Sequence, residues 1–363
     1  GKTTAIIQSL LEKVNGDPLD TRILYIQADH FQVGDTTLFE IAKRFEALGG
    51  IWIAFDEIHK YPNWSKELKS IYDTFPSLSI TASGSSALEI HKGSHDLSRR
   101  AIVRSAEGLS FREYIGLTQG ITLPTYSLEL ICAGHESIAD MLLEKIEGKI
   151  LPLFHDYLSS GYFPYFLEMN DAAYAVTLEQ NLHTTIETDL ATIYPHLTGA
   201  SIQKIKQLLI YIASSVPFTP NWNHIRMTLD IGDVRTVKTY FSHLEQAGLI
   251  RLVGSATRKM RRVEAPAKIY FNNTNQLYAI GQKPPNRGSV RETFFVSMVA
   301  HEYLVDVPNE GDFLINSELL FEIGGSSKSF AQVASKPNSY LACDDMERGV
   351  GSKIPLWLFG FLY

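Results

Sequence analysis

The chain has 363 residues, 45% hydrophobic and 20% charged, with a formal net charge of −7. That length suits two or three globular domains. No apolar run reaches eighteen residues, so no membrane partner is expected. Gly1-Lys2-Thr3-Thr4 has nothing of a signal peptide. Cys132 and Cys343 lack disulfide or metal-ligand spacing, which together points to a cytoplasmic protein.

Taken in chain order, residues 1–13 carry apolar positions at helical spacing, and 22–28 read as a buried strand ending at Asp29. Residues 36–48 are helical in pattern. Ile51-Trp52-Ile53-Ala54-Phe55 is continuously apolar, as in the centre of a parallel sheet. A helix over 64–74 and a strand over 78–83 follow. The alternation predicts an α/β domain with a parallel sheet. Residues 91–100 read as a polar loop. Residues 128–213 are mainly helical in pattern, and 221–253 give two short helices and a strand. Residues 268–271, 312–315, 319–323 and 356–363 read as short strands.

A phosphate-binding loop needs backbone N–H groups at a helix N-terminus, a Lys for the β- and γ-phosphates and a hydroxyl for Mg²⁺. Gly1, Lys2, Thr3 and Thr4 supply the second half of such a loop. Its Gly-rich first half is expected ahead of Gly1; without it, ATP should bind poorly. The apolar strand 51–55 runs into Asp56-Glu57. There Asp56 can hold the metal with Thr3, and Glu57 can activate the attacking water. A solvated acidic pair at a strand end is the alternative, and it weakens once Gly1–Thr4 is counted. Ser83 and Ser85, at the tip of strand 78–83, can touch the γ-phosphate, or simply form a turn. Arg100 can stabilise transition-state charge, or be a solvated cation.

The segments FDEIHKYPNWSKELKSIYD, ITASGSSALEI, LSRR and EGLSFREYIGL resemble those of prokaryotic AAA+-type ATPases with a C-terminal domain of unknown function. The resemblance spans nearly the whole chain. It implies an ATP-binding, Mg²⁺-dependent ATPase. In it Lys2 and Thr3 contact phosphate and metal, Asp56 and Glu57 form the acidic pair, Ser83 or Ser85 is the sensor and Arg100 is the arginine after the loop. Here that arginine follows Ser-Arg rather than the family's commoner Gly.

Residues 201–268 carry 11 Lys+Arg against 4 Asp+Glu, a net of +7, whereas 1–200 carry 15 against 26, a net of −11. Asp233 is placed to cap a helix with Arg235, Lys238 and Thr239 on its outer face. Gly248 ends it, and Arg258, Lys259, Arg261 and Arg262 follow. This reads as a winged helix, serving either duplex DNA contact or packing. Asp312 and Glu322 resemble the carboxylates of a restriction-endonuclease-like core. Gly324 stands where such a core wants a Lys, so an inactive, degenerate core is expected. Lys328 is near enough to reach back, which spacing does not decide.

The expected organisation is therefore a P-loop ATPase core (1–115), a helical connector (116–200), a winged helix (201–267) and a nuclease-like domain (268–363). ATP would act as a switch for the later modules, with a homo-oligomer among the expected assemblies. A metal-dependent nuclease regulated by ATP, and a non-enzymatic DNA-binding regulator, are the competing readings.

Overall fold

A computed structural model describes the chain except residues 31–32, 34–35, 85–89, 91–96, 98, 216, 258–264, 282–283 and 329–335. Most of the loop expected over 91–100 lies outside the described residues, as do Ser85, Arg258, Lys259, Arg261 and Arg262. The chain divides into two compact units, Gly1–Ala106 and Glu107–Tyr363.

In the first unit, α1 (Lys2–Lys13) leads to β1 (Ile23–Gln27), α2 (Leu38–Ala47), β2 (Trp52–Asp56), α3 (Trp64–Thr74) and β3 (Ser79–Ala82). Thr37 caps α2, its hydroxyl accepting from the Glu40 N–H at 3.2 Å. The sheet order is β1-β2-β3, all parallel, with Gln27 opposite Asp56 and Phe55 opposite Ala82. Ile53, Ala54 and Phe55 are fully buried. The continuous apolar run thus forms the middle strand, as its lack of alternation predicts. Leu38 and Ala42 from α2 and Leu68 and Ile71 from α3 share its core. Burying a side chain such as Phe55 contributes about 1.5–3 kcal/mol.

The second unit is helical from 111 to 246 and then builds a seven-stranded mixed sheet. Its strands are β4 (Ile250–Ser255), β5 (Lys268–Phe271), β6 (Val305–Val307), β7 (Phe313–Ile315), β8 (Leu319–Gly325), β9 (Ser339–Asp344) and β10 (Lys353–Pro355). Their order is β10-β9-β8-β7-β6-β4-β5. The β4–β5 hairpin is antiparallel and joins the rest through a parallel pairing of β4 with β6. Helix Arg287–Val299 lies under the sheet, where Phe295 meets Phe313, Phe321 and Phe359 at centroid distances of 5.4, 5.1 and 4.8 Å.

Two expectations fail here. Residues 356–363 are not a strand: Leu356–Phe361 forms a 3-10 helix. Its backbone crosses helix Phe111–Gln119 so closely that a Cβ on Gly360 would overlap the Phe111 side chain. An apolar run buried on all sides carries no period from which to tell the two structures apart. Helices Thr274–Ile280 and Arg287–Val299 also interrupt what reads as a stretch of strands. The second is buried almost all round, so no polar face marks its period.

No helix among the described residues is long and apolar enough to cross a membrane. Burial raises both thiol pKa values, Cys132 to about 12, which keeps both thiols protonated at neutral pH.

Candidate nucleotide site

The site gathers at the C-terminal ends of the three parallel strands. Such strand ends leave backbone groups and loops open to a ligand. The Ala28 N–H donates to the Asp56 carbonyl at 2.8 Å and the Ser83 N–H to the Phe55 carbonyl at 2.9 Å, which aligns the three strand tips. Gly1 is the N-cap of α1, and its carbonyl accepts from the Ala5 N–H at 3.1 Å. Its first turn brings Thr3 to the tip of β2.

Asp56 is the centre of the cluster and is 2% exposed. The Thr3 hydroxyl donates to its Oδ2 at 2.6 Å, and the Tyr25 hydroxyl to the same oxygen at 2.8 Å. The Ser83 hydroxyl and the Glu57 N–H (3.1 Å) donate to Oδ1. Burial pushes the carboxyl pKa upward, but these donors outweigh it and hold it below the ordinary Asp value. The result is a buried carboxylate whose hydrogen-bond donors are all uncharged. An anion stabilised in this way, with a Thr hydroxyl 2.6 Å from it, offers the oxygen ligands that a hard divalent cation takes. The residues therefore fit Mg²⁺, which Thr3 and Asp56 would hold.

Tyr25 is the member that sequence reading missed. Burial, and then its bond to Asp56, raise its pKa to about 12, so it stays a donor. Strand parity contains the signal. Tyr25 lies opposite Ala54 in the register, two residues before Asp56 and hence on the same face.

Glu57 adopts the left-handed conformation, φ 52° and ψ 34°. For a non-glycine residue this costs on the order of 1–3 kcal/mol and clusters at functional sites. The turn is held by the Ile58 N–H on the Ser83 carbonyl at 2.8 Å. The Glu57 carboxylate lies 3.4 Å from Lys60 Nζ, which pairs more closely with Asp29 at 2.7 Å.

Gly1, Lys2, Thr3 and Thr4 are exposed along the first turn of α1, and Thr3 meets Asp56 and thereby Ser83. Arg100 does not join them: its Nε donates to Asp73 at 2.8 Å, at the end of α3.

In the second unit, helices Gly199–Ser215, Trp222–Thr228 and Val234–Gln246 precede the β4–β5 hairpin. Asp233 caps the third helix, accepting from the Arg235 N–H at 2.8 Å, and Gly248 follows it with φ 69°. Several basic side chains in this stretch are engaged internally. Lys204 Nζ donates to the carbonyls of Leu229 and Asp230 at 2.6 and 2.8 Å. Lys206 pairs with Glu187, and Lys238 lies over the Trp222 ring at 5.4 Å. His155, Asp344 and Asp345 also gather, but Arg287 and Arg291 bind both carboxylates. That balance of charge makes the group an ion-pair network.

Residues 1–115 match the model of a family described as an AAA domain, and residues 151–285 match a domain of unknown function, DUF8612. An uncharacterized protein of Methanocaldococcus jannaschii, MJ1637, is 27% identical over 274 residues. The match covers 72% of this chain and 57% of that relative, so the chain spans less than two thirds of its length. The Walker-type ATPase PABY2304 of Pyrococcus abyssi superposes with a TM-score of 0.37 at 13% identity, over 76% of this chain and 75% of that one. That likeness is too loose to carry an assignment. The AAA match and the parallel sheet support an AAA-like P-loop core in the first unit.

Proposed function

We propose that the first unit binds ATP with Mg²⁺ and hydrolyses it, and that its nucleotide state is a switch for the second unit. One observation carries this reading. Thr3 and Asp56, 53 residues apart, meet at 2.6 Å at the tip of the middle strand. That is the pairing of hydroxyl and carboxylate that a nucleotide-bound magnesium requires.

Each residue then has a task. The α1 N-terminus and Lys2 receive the β- and γ-phosphates, where the helix dipole and the ammonium favour negative charge. Bound Mg²⁺ would neutralise developing phosphate charge. Ser83, anchored on Asp56 at the strand tip, would contact the γ-phosphate or the attacking water. Glu57 takes a proton from the attacking water as the bond between the γ-phosphorus and the β,γ-bridging oxygen breaks. ADP and phosphate leave. The strained backbone of Glu57 supports that assignment, because such strain clusters at functional sites.

The order of three helices and a hairpin over residues 199–271 supports a winged-helix reading of that part. The internal partners of Lys204, Lys206 and Lys238 favour packing over duplex contact there.

The test is Glu57→Gln, measured against the parent. Nucleotide affinity should persist while hydrolysis falls by about 10²-fold or more. Lys2→Ala should lose binding itself. Hydrolysis by Glu57→Gln at the parent rate would remove Glu57 from the mechanism.

A further inference from the structure

In the second unit, Lys328 reaches back to the carboxylates that the sequence singles out. β7 pairs with β8 only as far as Phe321, so beyond that point, among the described residues, this edge of β8 has no strand beside it. Side chains take up its backbone groups instead. Asp312 Oδ2 accepts from the Ile323 N–H at 2.8 Å, and Lys328 Nζ donates to the Ile323 carbonyl at 2.8 Å. The same Nζ lies 3.0 Å from Glu322 Oε1 and 3.5 Å from Asp312 Oδ2. Three oxygens, two from carboxylates and one from the main chain, thus converge on one ammonium. That donor set is what a hard divalent cation selects.

Gly324 is part of the arrangement. A Cβ at 324 would lie 2.7 Å from Lys328 Cβ and overlap more of its stem, so only glycine lets the lysine cross β8 to the carboxylates. The glycine at the position where a nuclease core wants its lysine, and the lysine four residues later, therefore form one coupled feature. Glu322 is 2% exposed, and its second oxygen, Oε2, is buried without a hydrogen-bond partner among the described residues. A carboxylate left half satisfied suits a ligand that contacts more than one oxygen, which a single ammonium does not supply.

We propose that Lys328 is a tethered cation occupying a latent divalent-metal site formed by Asp312, Glu322 and the Ile323 carbonyl, and that its removal opens the site to metal. The residues as they stand do not fit a metal-dependent nuclease, because the position for the metal is filled by the protein's own charge. Lys268, 3.8 Å from Asp312 Oδ1 and 3.1 Å from Glu292, adds a second internal cation to the cluster.

The experiment titrates Mn²⁺ into the full chain without nucleotide, with binding followed by electron paramagnetic resonance and melting temperature. All proteins carry Asp56→Asn, so metal at the first unit does not contribute and failure of the ATPase reading leaves the result intact. The parent should show no Mn²⁺ site dependent on Glu322. Lys328→Ala should bind Mn²⁺ about tenfold or more tightly than the parent, with a melting temperature that rises with Mn²⁺. Adding Glu322→Gln to it should abolish both effects. If Lys328→Ala is unfolded without metal, folding on Mn²⁺ addition supports the proposal and continued unfolding refutes it. Parent binding that equals the variant's and is lost in Glu322→Gln would also overturn it, as would a folded Lys328→Ala with no gain.

Discussion

Tyr25→Phe removes one hydroxyl and almost nothing else, so it isolates what that donor does for Asp56. The bond is 2.8 Å long and its acceptor is a carboxylate in a 2%-exposed residue. Hydrogen bonds to charged groups contribute about 1.5–3 kcal/mol. Tyr25 is only half-buried and Asp56 keeps three other donors, so the lower end, about 1.5 kcal/mol, applies. The sign follows from linkage. The folded Asp56 pKa lies below its unfolded value, so the stability from its ionised form is present above about pH 4 and lost as pH falls through the folded pKa. The variant should therefore differ from the parent at neutral pH and converge with it in acid. Tyr25 itself, with its pKa raised to about 12, contributes stability that is full below pH 10 and lost as pH climbs towards 12. The assay is hydrogen exchange of the Trp52–Asp56 amides in the full chain, from pH 3 to 8, corrected for intrinsic rates. Protection should drop about tenfold at pH 7, with a smaller difference at pH 3. A loss of equal size at both ends would mean that the hydroxyl acts through packing, and the electrostatic account of Asp56 would fail.

Arg100→Ala should leave stability close to the parent's, since the Asp73 pair is exposed. If Arg100 nevertheless acts on the γ-phosphate, the variant's kcat for ATP falls with its melting temperature unchanged; an unchanged kcat assigns it to the Asp73 pair alone. Asn275→Ala should cost about 3 kcal/mol or more in urea unfolding of the second unit. This fully buried amide donates to the Tyr157 and Leu158 carbonyls at 3.0 and 2.9 Å and accepts from the Tyr162 N–H and the Tyr174 hydroxyl, so its loss leaves buried polar groups, the Tyr162 N–H first among them, short of a partner. Asp233→Ala should cost about 1 kcal/mol, with Asp233→Asn recovering most of it, because the cap needs a side-chain oxygen and not a charge.

Local order made much of the first unit legible. A β2 run with no polar alternation places that strand in the middle of a parallel sheet, and two acidic residues at its end mark the open edge of that sheet. The Asp233 cap and the Gly248 stop were readable for the same reason: each acts within one turn of its own helix. Ser85 and the basic residues 258–262 lie outside the described residues, so their expected roles stand as proposals. Leu356–Tyr363 and the helix Arg287–Val299 were misread or passed over because full burial erases the period that separates helix from strand.

By itself, then, the sequence determined which residue types were present for phosphate, metal and proton chemistry, and on which elements they lie. Only tertiary structure decided which of them meet. It joined Thr3 and Tyr25 to Asp56 across the sheet and sent Arg100 to Asp73. It also brought Lys328 back over Gly324 to Glu322. Each is a long-range or edge contact, set by strand register and by where a neighbouring strand stops. Spacing along the chain fixes what a side chain can reach, whereas the packing of the elements fixes what stands within that reach.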